Sequence, residues 1–162
     1  MAASSFQLAH VNIARMRGGW DDPVMAEFVA RLDAVNAIAE GSPGFVWRLQ
    51  AEDDAALALQ VFGDPRILFN VSVWDSLEAL RAFSYDGAHL EVLRERQRWF
   101  LKPDRAHLAL WWVPGGCRPA LEEGRDRLLL LDRSGPTADA FTFQKPFPAP
   151  AVSEAWPAGV RG

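Results

Sequence analysis

Between Leu68 and Phe83 the apolar residues change their period, and that change restricts the fold more than any other feature of the chain. From Leu68 to Trp74, β-branched and aromatic residues alternate, with Phe69, Val71 and Val73 on one side and Asn70, Ser72 and Trp74 on the other. Period two is the mark of a strand. Asp75 and Glu78 then stand at capping-box spacing, and Leu77, Leu80 and Phe83 repeat at helical spacing. A strand therefore runs directly into a helix. Tyr85-Asp86-Gly87 breaks that helix, and a second one is expected from about Ala88, with His89, Val92, Arg96 and Trp99 on one side.

The flanking sequence supplies the rest of the pattern. Phe6 to Arg15 reads as a strand with Ala9, Val11 and Ile13 on one face and Leu8, His10, Asn12 and Ala14 on the other. After the Arg17-Gly18-Gly19-Trp20 loop, Asp22 caps a helix with Pro23 in its first turn, and Met25, Phe28, Val29, Leu32, Val35 and Ala39 form its apolar stripe. Asn36 follows Leu32 by one turn and lies close to that stripe. Gly41 and Pro43 end the helix. Phe45 to Leu49 is a second strand, in which Phe45, Trp47 and Leu49 alternate with Val46 and Arg48. The segment Ala55 to Phe62 fits either a return strand or a long loop. His107 to Val113 forms the last strand, and its Trp111-Trp112 pair places one tryptophan on each face. A helix from Pro119 carries Leu121, Leu128 and Leu131 and stops at Ser134-Gly135-Pro136. The phenylalanines between Ala140 and Pro150 stand among prolines, a composition suited to an extended strap over apolar surface.

Strand, helix, strand, strand, helix pair and strand is the order of the α+β, ferredoxin-like split βαβ fold. Helices on one side of a four-stranded sheet leave the other side bare, and these strands are apolar on both. A homodimer, in which two sheets close into an α/β barrel, covers both. Residues 1–150 are expected to form one domain, with a C-terminal helix and extended tail added to the fold, and 151–162 a disordered end. With 162 residues, 49% of them hydrophobic, one core is affordable and a second is not.

Charge and composition remove several function classes. A net charge of -4 disfavours nucleic-acid and anionic-membrane surfaces. Arg94, Arg96 and Arg98 alternate with Glu91 and Glu95, as on a solvated helix face. One cysteine, Cys117 in a Gly-Gly-Cys-Arg-Pro turn, excludes an internal disulfide or a multi-cysteine zinc site. Neither a signal pattern nor an apolar run of roughly 18 residues is present, so a soluble cytoplasmic protein is expected. Glycine-rich nucleotide loops, a P-loop, a nucleophile elbow and metal-ligand clusters are missing from the sequence.

Five segments carry a resemblance: Ser42-Pro-Gly-Phe-Val-Trp-Arg-Leu49, Val71-Ser-Val-Trp-Asp-Ser-Leu-Glu-Ala-Leu80, His89 with Arg98-Trp-Phe100, Leu110-Trp-Trp-Val-Pro114, and Gly135-Pro-Thr with Ala140-Phe-Thr-Phe143. In that order they resemble the domain-of-unknown-function 3291 family. It looks like a branch of the dimeric α/β-barrel group, with the antibiotic-biosynthesis and haem-degrading monooxygenases. The first kind implies oxidation of planar phenols by dioxygen without metal, flavin or nucleotide. The haem-degrading branch implies roles for Asn12, Phe83 and His89; Phe83 departs from it, since that branch has tryptophan there.

His89 and Asn12 are thus the candidate catalytic residues. His10, Asn70, Ser72, Trp74, Phe83, Trp99 and Trp111 are the candidate walls of a pocket for a small hydrophobic or aromatic ligand. His107, heading its strand, is expected in solvent. Three functions follow: a cofactor-independent monooxygenase-like enzyme, a haem-binding protein with His89 as axial ligand, or a non-catalytic dimeric module that binds a hydrophobic ligand beneath the tail.

Overall fold

A computed structural model describes residues 5–151; the expected disordered end falls almost wholly outside them. Four strands form one antiparallel sheet: β1 (Phe6–Arg15), β2 (Phe45–Arg48), β3 (Ile67–Trp74) and β4 (Leu108–Pro114), in the spatial order β2-β3-β1-β4. That order, with α1 (Ala26–Glu40) between β1 and β2 and α3 (Leu77–Ser84) and α4 (Gly87–Arg94) between β3 and β4, is the ferredoxin-like arrangement. The long strands β1 and β3 occupy its centre, where both edges are paired.

Local chemistry sets the helix ends. Asp22 accepts from the Val24 N–H and opens a 3-10 turn, Pro23–Met25, that leads into α1. For α3 the cap is Ser76 rather than Asp75: the Ser76 hydroxyl accepts from the Ala79 N–H at 3.1 Å. Asp86 caps α4 through the Ala88 N–H.

The segment Ala55 to Phe62 is neither strand nor loop but belongs to a helix, α2 (Asp54–Phe62). Asp53 caps it, and Gly63 ends it in the left-handed conformation at φ 74°. A second difference lies in β2. A register shift between Phe45 and Trp47 breaks their alternation, so Phe45 packs with Trp74 on one side of the sheet while Trp47 and Leu49 pack on the other. Val29, placed on the buried stripe of α1 by its spacing, is 37% exposed.

The face carrying Ala9, Val11, Val71, Ala109, Trp111 and Val113 is the one that a bare split βαβ sheet leaves open. Here α2, through Val61, and α5 (Leu121–Ser134), through Leu121, Leu128 and Leu131, fill it from the same chain. The homodimer was inferred from an uncovered face, and that premise does not hold. Gly124 makes the close approach of α5 possible, because a Cβ there would stand 2.9 Å from Val11 Cγ2.

The opposite face is covered by α1, α3 and the strap. Phe141 pairs with Leu110 along the β4 edge, and Phe143 and Phe147 pack on the cluster of Leu8, Trp74, Leu80 and Leu110. The extended course read from the sequence is the observed one. A separate cluster of Met16, Met25, Phe28 and Trp99 closes the other end of this face. Between the two clusters lies a polar gap.

Candidate functional site

The gap is built by strand register. β1 pairs with β3 so that His10 faces Ser72 and Asn12 faces Asn70, and the period of two turns all four side chains toward the layer of α1, α3 and α4. Leu8 with Trp74 and Ala14 with Leu68 bound the group along the strands, and Leu110 of β4 stands beside His10. No charged side chain belongs to this quartet. Asn36 lies on the inner stripe of α1 between Leu32 and Ala39, which serve the two flanking clusters.

His10 and Ser72 are the only buried residues of polar or charged type among those described, at 8% and 4% exposure. Trp74 Nε1–H donates to Ser72 Oγ at 3.0 Å, and Ser72 Oγ lies 3.1 Å from His10 Nδ1. A buried hydroxyl hydrogen needs an acceptor, and the His10 ring is the partner within reach. Donation from Ser72 to Nδ1 satisfies both groups and leaves the His10 hydrogen on Nε2. Burial drives the His10 pKa down to about 4, helped by the charge of nearby His89, while hydrogen bonding to the Asn70 side chain acts the other way. His10 is therefore neutral at physiological pH.

His89, at the start of α4, has the opposite arrangement. Its Nδ1 lies 2.9 Å from the Ser84 carbonyl oxygen, which can only accept, so in the neutral ring the hydrogen is on Nδ1 and the lone pair on Nε2. The ring is 4.9 Å from that of Phe83, which stacks on Trp74 at 5.4 Å and 24°. An aromatic column thus runs from the Ser72 hydrogen-bond chain to the free nitrogen of His89. One imidazole offers an N–H and the other a lone pair.

Of the residues selected from sequence, His10, Asn12, Asn70, Ser72, Trp74, Phe83 and His89 share this side of the sheet. Trp111 does not: it projects from the opposite face, donates to Glu123 of α5 at 2.9 Å, and lies under the Arg127 guanidinium. Trp112 is the tryptophan on the site side, donating to the Phe147 carbonyl. Trp99 is also displaced. It packs on Phe28 at 5.6 Å, with the guanidinium groups of Arg31 and Arg98 over its ring. The Ser84 carbonyl, which fixes the His89 tautomer, was not found from sequence, because a backbone acceptor carries no residue signature.

The remaining titratable features lie away from this gap. His107 is exposed, and the partly buried Cys117 thiol has its pKa raised by burial. One surface groove follows β2 from Phe45 to Gln50, and another hollow lies among Arg31, Glu91, Arg94 and Glu95. Among the described residues, no group of three His, Cys, Asp or Glu side chains could hold a metal ion, and no helix is long and apolar enough to cross a membrane.

Residues 7–156 match the family model described as "Domain of unknown function (DUF3291)". No curated protein matches the chain. Among solved structures it is similar to SnoaB, a cofactor-independent oxygenase from Streptomyces nogalater, at 18% identity over 72% of this chain and 98% of that one, with a TM-score of 0.45. A conserved protein from Methanosarcina mazei matches at 12% identity over 69% and 95%, with a TM-score of 0.48. A candidate antibiotic biosynthesis monooxygenase from Nitrosomonas europaea matches at 14% identity over 68% and 90%, with a TM-score of 0.45.

Proposed function

The chain belongs to the DUF3291 family, and from that premise we propose that it is a small-molecule oxygenase whose site lies between the His10–Ser72 pair and His89. The observation that supports this reading is the pair of buried or half-buried imidazoles with opposite hydrogens, beside a stacked aromatic column. These groups suit a planar phenol: its rings would lie against Phe83, its hydroxyl would meet the polar quartet, and His89 Nε2 would accept a proton.

The chemistry balances without a redox cofactor if the substrate carries an activated methylene. Loss of a proton to His89 leaves an electron-rich carbanion, which reduces dioxygen and forms a hydroperoxide. Loss of water from that hydroperoxide gives a ketone: one oxygen atom enters the product, the other leaves as water, and the substrate supplies all four electrons. The protein's task is to hold the proton acceptor and to exclude water. His10 is suited to remain a hydrogen-bond donor throughout, because burial opposes its protonation.

Dioxygen uptake with a series of tricyclic phenols tests the reading. Turnover giving a product in which a methylene has become a carbonyl, abolished by His89→Ala with the fold intact, supports it. Equal uptake by the parent protein and His89→Ala refutes it.

A second reading has its own observation. An imidazole whose Nδ1–H is held by a backbone carbonyl leaves Nε2 open as a donor that could hold iron. The donor fits; His89 would hold the iron, and haem would supply dioxygen activation. Haemin titration distinguishes the two: a saturable Soret band lost in His89→Ala favours haem.

A further inference from the structure

The proposed site is closed to solvent, with His10, Ser72 and Trp74 all buried. Between buried Leu80 on α3 and buried Trp99, no residue is fully buried. This stretch contains α4 and His89, and it lies over a sheet face on which His10, Ser72 and Trp74 are almost inaccessible. α4 has no buried residue, and Val92 is its contact with a core cluster. Its ends differ from its middle. Leu80 and Trp99 anchor the segment, while Tyr85-Asp86-Gly87 separates α3 from α4, and a Cβ added at Gly87 would meet nothing.

Besides Val92, polar contacts tie this stretch to the body: Arg17 Nε–H donates to the Gln97 carbonyl at 2.8 Å, and ion pairs reach α1. Arg31 of α1 bonds Glu95 at 2.5 Å, Arg98 bonds Glu95 at 2.9 Å, and Arg98 reaches Glu27 of α1 at 2.8 Å. Both guanidinium groups lie over Trp99, at 5.6 and 5.3 Å. These charges are substantially exposed, so the pairs are weak individually and sensitive to salt. Apolar burial fixes the anchors; between them, Val92, one hydrogen bond and exposed ion pairs hold the segment.

We propose that the α4 segment is a lid, hinged at Tyr85-Asp86-Gly87 and latched to α1 by Arg31, Glu95, Arg98 and Glu27, whose opening exposes His10 and withdraws His89 from the site. Closing brings the His89 lone pair back over the quartet. The inference builds on the proposed site, but the motion is measurable without any substrate.

Carbethoxylation of histidines by diethyl pyrocarbonate at pH 7, followed residue by residue by mass spectrometry, measures it. In the parent protein exposed His107 reacts quickly and His10 slowly. Glu95→Gln, which keeps the size of the side chain, and Arg31→Ala should each make His10 react roughly threefold to tenfold faster, as should high salt in the parent, with His107 unchanged. Hydrogen exchange of β1 amides, which report opening of the whole fold, should not accelerate in parallel. A His10 rate unaffected by either substitution, or one rising only in step with β1 exchange, overturns the lid. Faster His10 modification with no phenol turnover retains the lid and removes the oxygenase reading; turnover with a latch-independent His10 rate does the reverse.

Discussion

Replacing Ser72 with alanine removes one oxygen atom and strands two buried groups. Trp74 Nε1–H loses its acceptor and His10 Nδ1 loses its donor, in a place where Trp74 is 1% exposed and His10 8%. Each buried polar group left unpaired costs about 1–3 kcal/mol, so Ser72→Ala should cost roughly 2–6 kcal/mol. A double-mutant cycle separates the two parts. Trp74→Phe removes the indole N–H, so in that background Ser72→Ala strands only His10 and should cost about half as much. Urea unfolding of the four proteins gives the values. A cost for Ser72→Ala below about 0.5 kcal/mol, or an equal cost in both backgrounds, would refute the hydrogen-bond chain.

Three further outcomes follow from the same geometry. His10 has a folded pKa near 4 and an ordinary value of 6.5 when unfolded, so the unfolded chain takes up a proton first as pH falls. Stability is then undiminished above about pH 6.5 and falls toward pH 4, by roughly 3 kcal/mol for this group. His10→Asn, which retains an acceptor for Ser72, should lose that component, seen as the difference between the two stability–pH curves. Gly124→Ala should destabilise by about 1–3 kcal/mol in chemical denaturation, because its Cβ meets Val11 Cγ2 at 2.9 Å and outweighs the gain in helix propensity. Asp53→Ala should cost about 0.5–2 kcal/mol and increase hydrogen exchange in α2, since Asp53 accepts from the Ala56 N–H.

The centre of the sheet was legible because β1 and β3 each have unlike faces, and alternation alone sorts Leu8, His10 and Asn12 from Ala9, Val11 and Ile13. α2 was not, because nine residues rich in alanine and leucine carry no clear period, and only Asp53 and Gly63 mark its ends. The bulge in β2 defeated simple alternation: it moves Phe45 to the side of the sheet away from Trp47. Coverage of the second face was hidden for a related reason, since α5 was visible as a helix but its packing partner was not.

The site divided along the same line. Residue types on β1 and β3 pointed to a polar patch, yet the facing of His10 with Ser72 depends on register, which composition does not encode. Trp99 was placed beside His89 by extending one helix through Arg96. The helix ends at Arg94 and a 3-10 turn follows, which carries Trp99 to another cluster. For Trp111 and Trp112, opposite faces were certain, but which one meets the site is set by pairing with β1: Trp112 faces Leu8, and Trp111 faces Ala9.

The most direct test uses the three histidines of the chain. Their ring nitrogens can be resolved in a 15N spectrum of histidine-labelled protein and assigned by His10→Asn, His89→Ala and His107→Gln. Hydrogen should be found on Nε2 in His10 and on Nδ1 in His89, and a tricyclic phenol should shift the His89 Nε2 signal while His107 is unmoved. The reverse tautomers, or a phenol response confined to His107, would contradict these assignments.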